Sequence, residues 1–335
     1  MKRETDYTQL LKVLHKKTPD RPVLFELFLN WRLYQSHGKP YAPVKEDGWD
    51  IARMTAHAYK NTGFDYVTLM GTDFGFPQQK REHKNTISLN DGACITDRES
   101  YERYEWPDPA KCDYSRLEKL DLPDGLKIVT FSPGGVLENA IGIVGYDNLC
   151  VMLYDDPQLA KQIFDDVGSR ILAYNESVSQ YDNVCAMIAN DDWGFKTQTM
   201  LSPEDMRKYV FPWHKKIVAA GHKAGKPVIL HSCGYAGDVM EDIIEDMKYD
   251  AKHSFEDAIS PIEDEYEQYK GRIALLGGID VHYLVTRRPD EITARSKAML
   301  ERSSLTGGYA LGSGNSIPEY ITDEKFFAMT AAALN

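Results

Sequence analysis

The chain has 335 residues, of which 42% are hydrophobic, and a formal charge of −12. That length allows one large domain or two small ones, and the acidic balance excludes an extended nucleic-acid footprint. Five scattered cysteines (Cys94, Cys112, Cys150, Cys185 and Cys233) are odd in number and argue against a disulfide framework. No charged-then-apolar leader opens the chain and no apolar run is long enough to span a membrane. The expectation is a cytoplasmic protein without a membrane or nucleic-acid partner.

In chain order, residues 7–16 read as a short amphipathic helix. Residues 22–29 read as a buried strand with one carboxylate, Glu26, inside the apolar run. A buried unpaired carboxylate is costly, so Glu26 either faces a polar cavity or has a partner. Helical periodicity over 50–62 stops at Gly63, a C-terminal cap. A second strand, 66–70, ends at Asp73. A polar excursion from about 74 to 125 follows, in which 86–90 and 93–96 flank Asp91-Gly92, a two-residue hairpin signal. A loop of that length is either a functional lid or a surface decoration.

Residues 127–131 form a third strand, and Pro133-Gly134-Gly135 opens a helix through Ile143. Asp156-Pro157 starts a long helix with Leu159, Ile163, Val167, Ile171 and Val178 on one face. A fourth strand, 184–189, runs into Asn190-Asp191-Asp192-Trp193-Gly194. Ser202-Pro203-Glu204-Asp205 is a capping box with Pro at the first helical position. A fifth strand, 227–230, ends in His231-Ser232-Cys233-Gly234. The sixth (249–255), seventh (272–276) and eighth (308–311) strands end near Glu256, Asp280 and Ser313, and the helix 323–334 follows. Eight strands alternating with helices are the pattern of a single (β/α)8 TIM barrel with an insertion after strand two.

In such barrels the catalytic groups sit at the C-terminal ends of the strands. Glu26, Asp73, Asp191, Asp192, His231, Cys233, Glu256, Asp280 and Ser313 all fall there. His231 and Cys233 are two residues apart at a strand end, so both side chains can point at one spot. Imidazole and thiolate are ligands that zinc favours; a polar cap beside a buried thiol is the plainer alternative.

At this point the chain resembles the uroporphyrinogen decarboxylase-type superfamily over nearly its whole length. The resemblance is carried by Asp191-Asp192-Trp193-Gly194, Ser202-Pro203, His231-Ser232-Cys233-Gly234, Gly277-Gly278-Ile279-Asp280 and Gly312-Ser313-Gly314-Asn315-Ser316-Ile317-Pro318. Two branches compete. True porphyrinogen decarboxylases carry an Arg-rich motif at the end of the first strand; here Arg32 is the only basic residue in 26–32 and Glu26 would repel a polycarboxylate. Asp73 stands where that branch has its catalytic aspartate, and Ser313 where it has a late histidine.

The other branch, corrinoid-linked methyltransferases, is similar in the Asp-Asp-Trp-Gly turn and the His-x-Cys-Gly stretch. The resemblance implies a zinc ion held by the His, the Cys and a later Cys, which activates an acceptor thiol toward a methyl group carried by a corrinoid. The later Cys position is Ser313, and neutral serine is a poor zinc ligand. Cobalamin-independent methionine synthase is similar in having a Glu at the end of the next strand, which falls at Glu256. The set implied is therefore His231, Cys233 and Glu256 for zinc; Glu26, Asp73, Asp191, Asp192 and Asp280 for proton handling or acceptor positioning; and Trp193, Ser313 and Asn315 at a corrinoid supplied by a partner protein. The expected function is methyl transfer between a methylated corrinoid and a metal-activated thiol. A decarboxylase or lyase acting on a small acid or tetrapyrrole, and a non-catalytic corrinoid or tetrapyrrole binding protein, are the alternatives.

Overall fold

The computed structural model describes residues 3–39, 48–78 and 88–334. Its centre is a curled parallel sheet of seven strands in sequence order: β1 (Tyr66–Met70), β2 (Lys127–Phe131), β3 (Val184–Asn190), β4 (Val228–His231), β5 (Ala251–His253), β6 (Ala274–Leu276) and β7 (Tyr309–Ala310). Each strand pairs with the next in parallel. The first six residues of β3 are all buried, as expected when both faces of a parallel sheet are covered. Helices Asp50–Asn61, Pro157–Val178, Phe211–Lys223, Pro289–Ser303 and Asp323–Leu334 belong to the connections around this sheet. The helix Pro157–Val178 starts where the sequence places it, with Asp156 accepting from the Leu159 amide and Pro157 at the first position. The arrangement is that of a TIM-like barrel.

Residues 22–29 do not form the expected strand. On one side Leu24 makes a single parallel bridge to Leu311, with the Phe25 amide on the Leu311 carbonyl and the Leu311 amide on the Val23 carbonyl, both at 2.8 Å. On the other side, facing β1, hydroxyls replace the ladder. Tyr66 Oη accepts from the Glu26 amide at 2.7 Å and donates to the Glu26 carbonyl at 2.8 Å. Thr68 Oγ1 and Tyr59 Oη donate to the Leu27 carbonyl at 2.6 and 2.9 Å. Buried backbone groups must be paired, and here side chains do it, so the sheet counts seven strands instead of eight.

The excursion after β1 also differs from expectation. Part of the expected hairpin lies in 79–87, outside the described residues. Asp91-Gly92 forms a turn, with the Asp91 amide on the Ser88 carbonyl and Gly92 at φ +97, but Cys94 and Ile95 donate their amides to Ile143 of the helix Val136–Val144, not to a partner strand. The chain then follows the helix Pro157–Val178: Arg98 pairs with Asp156, Tyr101 Oη donates to Asp166, and Arg170 donates to the Pro107 carbonyl. Among the described residues no single helix is long and apolar enough to cross a membrane.

Candidate metal centre

The centre lies where β3, β4 and β5 end. In register, Asn190 is opposite His231, and His231 is opposite His253. The turns after β3 and β4 touch backbone to backbone. A Cβ on Gly194 would lie 2.3 Å from the Tyr235 nitrogen, and one on Gly234, at φ +79, would lie 2.0 Å from the Gly194 carbonyl oxygen. Only glycines allow this approach. It brings Asp192 beside Cys233, whose amide donates to Asp192 Oδ1 at 2.9 Å.

One ligand atom each from Asp192, His231 and Cys233 lies within 4.8 Å of the others. His231 Nε2 is 3.6 Å from Cys233 Sγ, and Asn315 Nδ2 donates to that sulfur at 3.2 Å. Behind them His231 Nδ1 and His253 Nδ1 share a hydrogen bond of 2.8 Å. His253 is fully buried, and the Ser313 backbone lies within electrostatic reach of its ring. These contacts form one row: the Cys233 thiol faces His231 Nε2, and His231 Nδ1 faces His253 Nδ1. Burial lowers the His231 imidazole to about 4 and drives His253 well below the usual range, so both rings are neutral at pH 7. Burial, then the nearby Asp192 charge, pushes the Cys233 thiol up to about 12. The set of one nitrogen, one sulfur and one oxygen fits zinc, which takes each of these donors. His253 supplies the second contact that fixes a ligating imidazole.

Glu256, expected as the third ligand, does not join this group; Asp192 holds that place. The cause is strand phase. His253 is the last residue of β5 and sits in register with His231, whereas Glu256 lies three residues further, in the loop. Ser313, at the position of the expected late Cys, faces elsewhere. It is fully buried and donates its hydroxyl to Glu26 Oε2 at 2.7 Å and its amide to Oε1 at 2.6 Å. Glu26 is fully buried too, and burial raises its carboxyl to about 8, against the lowering effect of the two Ser313 bonds. Ser313 connects onward through a 3.4 Å contact from the Asn315 amide.

The remaining expected residues are distributed differently. Asp191 is fully buried: it accepts from the Leu137 and Glu138 amides at 2.9 and 2.8 Å and pairs with His214 Nε2 at 2.8 Å, while His214 Nδ1 meets Tyr249 Oη at 2.6 Å. It caps the helix that follows β2, and a Cβ on Gly135 would lie 2.1 Å from its side chain. Trp193 is fully buried against Phe211 and His214. Asp280 caps the helix Val281–Thr286 through the Tyr283 amide and also takes the Asp257 amide. Asp73 is fully exposed and pairs at 3.5 Å with Arg116, outside this centre.

The sequence reading missed Glu138, His214 and His253. Glu138 sits in the first turn of its helix with Oε2 on the Gly135 amide at 2.9 Å. Burial, then Asp191 and Asp192, pushes its carboxyl up to about 8. The signal for His253 was present: it is two residues from Ala251 on the inward phase of a short strand.

Residues 7–335 match the profile of the family described as Uroporphyrinogen decarboxylase (URO-D). A uroporphyrinogen decarboxylase of Anaeromyxobacter dehalogenans (strain 2CP-C) is 24% identical over 285 residues, covering 82% of this chain and 78% of that protein. A methyltransferase from Methanosarcina mazei has a similar structure, with a TM-score of 0.68 over 98% of each chain; at 18% identity the likeness speaks for the fold. With the profile matched along nearly the whole length and the fold shared with a solved structure, the chain belongs to the uroporphyrinogen decarboxylase (URO-D) family.

Proposed function

We propose that this chain is a metal-dependent methyltransferase, moving a methyl group between a methylated corrinoid on a partner protein and an acceptor thiol. The observation that carries this reading is the convergence of Asp192, His231 and Cys233 within 4.8 Å. It takes residues 22–29 as the first strand position of a (β/α)8 barrel. Asp192, His231 and Cys233 would hold zinc, whose Lewis acidity, when bound, favours the thiolate form of the acceptor. His253 keeps the ligating nitrogen of His231 free of a proton by holding the hydrogen bond at Nδ1. Asn315 steadies the Cys233 sulfur. Glu138, beside Asp192 and titrating at about 8, is the group placed to take the acceptor's proton. The acceptor sulfur forms the new bond to carbon, and the electron pair of the old bond stays with the corrinoid.

Porphyrinogen decarboxylation fits less well. Arg32, the one basic residue in 26–32, pairs with Asp323 and donates to the Glu319 and Ile321 carbonyls. Burial pushes the Glu26 and Glu138 carboxyls up to about 8, and a carboxyl kept protonated is the group that decarboxylation of a smaller acid, the second reading, would need.

Metal content and methyl transfer separate the readings. The expected result is zinc retained by the purified protein, lost in Cys233→Ala and Asp192→Ala, and kept in Glu256→Ala. The zinc-loaded protein should demethylate methylcobalamin in the presence of a small thiol, followed by absorbance. A wild type that binds no zinc supplied in excess overturns the proposal, and leaves a non-catalytic tetrapyrrole binder or a metal-free lyase.

A further inference from the structure

A groove of about 710 Å³ opens beside the metal centre, over the ends of β5 and β6 and the loop after β7. Phe255, Val285, Pro318 and Tyr320 give it apolar walls, and Asn315, which donates to the Cys233 sulfur, joins it to the centre. Its acidic residues are Glu256 and Asp280; among the described residues no Lys or Arg lines it, and His282 is its one imidazole. Both Asp280 oxygens are already taken, by the Tyr283 and Asp257 amides. Glu256 differs. Its carboxylate has no hydrogen-bond or ion-pair partner among the described residues. The cation whose field it shares, Lys252, sits on the neighbouring residue phase of β5 and donates to the Ser254 carbonyl at 2.8 Å.

A partly buried carboxylate in a concave apolar wall is the arrangement that recognises a positive charge, because a cleft of low dielectric concentrates the field of its charges. An anionic ligand would meet Glu256 and Asp280 with only the exposed His282 imidazole in the described wall to offset them. The chain's formal charge of −12 acts in the same direction. We infer that the acceptor entering this groove is a small thiol bearing an ammonium group, with its sulfur at the Asp192–His231–Cys233 cluster and its cationic end against Glu256. This rests on the thiol-acceptor reading above and gives Glu256 a substrate-binding role in place of the ligand role expected from sequence.

The test measures binding of three small thiols to zinc-loaded wild type and to zinc-loaded Glu256→Gln by calorimetry. The probes are cysteamine (cationic), 2-mercaptoethanol (neutral) and 3-mercaptopropionate (anionic). An ammonium also acidifies its own thiol, so the quantity compared is the change each probe shows between the two proteins. The expected result is a loss of about five-fold for cysteamine in Glu256→Gln, the size of a partly exposed ion pair. No change is expected for 2-mercaptoethanol, a gain for 3-mercaptopropionate, and undiminished zinc content. Equal responses of cysteamine and 2-mercaptoethanol overturn the inference and leave the thiol-acceptor reading standing. Failure of all three thiols to bind the zinc-loaded wild type overturns that reading and the inference with it.

Discussion

Replacing Glu26 by Gln keeps the shape of the side chain and removes its charge. The amide oxygen can accept from the Ser313 amide, and the amide nitrogen can donate to Ser313 Oγ, so both contacts survive. In the folded chain burial holds the Glu26 carboxyl at about 8, against an ordinary value of 4.5. The folded state therefore binds a proton that the unfolded chain gives up between those two values, and stability falls as pH rises through that window. At 1.36 kcal/mol for each tenfold change in proton affinity, the full cost of charging Glu26 is about 5 kcal/mol above pH 8 and vanishes below 4.5. Urea unfolding of wild type and Glu26→Gln at pH 5, 6, 7, 8 and 9 reads this directly. The stability difference should move in favour of Gln from pH 5 to 8 and then level off. Contributions of other titrating groups, including Glu138 and the neutral histidines, cancel in that difference. A difference that stays constant from pH 5 to 9 refutes the account of Glu26 as a carboxyl kept protonated by burial.

Asp191→Asn should destabilise by about 2–4 kcal/mol in urea, because it weakens the cap on the Leu137 and Glu138 amides and the pairing with His214. Gly135→Ala should give a similar loss of thermal stability, since its Cβ would lie 2.1 Å from the Asp191 side chain. Zinc binding at pH 7 should expel about one proton, from the Cys233 thiol that burial holds at about 12; calorimetry in buffers of different ionisation enthalpy measures it, and Cys233→Ala should release none. Lys252→Met should stabilise the fold by about 2 kcal/mol below pH 8, because burial lowers the ammonium to about 8, with the gain shrinking toward 10.5 and offset in part by the lost bond to the Ser254 carbonyl.

Much of the sheet was readable from apolar runs. The runs at 66–70 and 127–131 coincide with β1 and β2, and the later ones contain or adjoin β3 to β7. The run at 22–29 misled because hydrophobicity reports burial, and this segment is buried without a ladder on its β1 side. Which backbone groups pair with a distant tyrosine hydroxyl is not a local property of sequence. The same division holds at the centre. His231, the last residue of β4, and Cys233, two residues beyond it, were legible together because the chain leaves the strand end with both near one spot. Asp192 was visible as a strand-end acid but not as a neighbour of His231 and Cys233, since its place depends on Gly194 meeting Gly234 across two turns. Asp191 and Trp193 belong to the same turn yet point into the core, a choice made by His214 and Phe211, which lie on the next helix.

The hydroxyl fastening between residues 22–29 and β1 makes the spacing of that seam a matter of side-chain length. Between laddered strands the spacing is set by the backbone at about 4.8 Å and cannot be tuned by substitution. Along this one seam it is set by the reach of Tyr59, Tyr66 and Thr68. Tyr66→Phe would leave the Glu26 amide and carbonyl without their Tyr66 partner. A sequence can thus adjust the spacing between residues 22–29 and β1 through side chains, while backbone ladders set the spacing of the seven-strand sheet beside Asp192, His231 and Cys233.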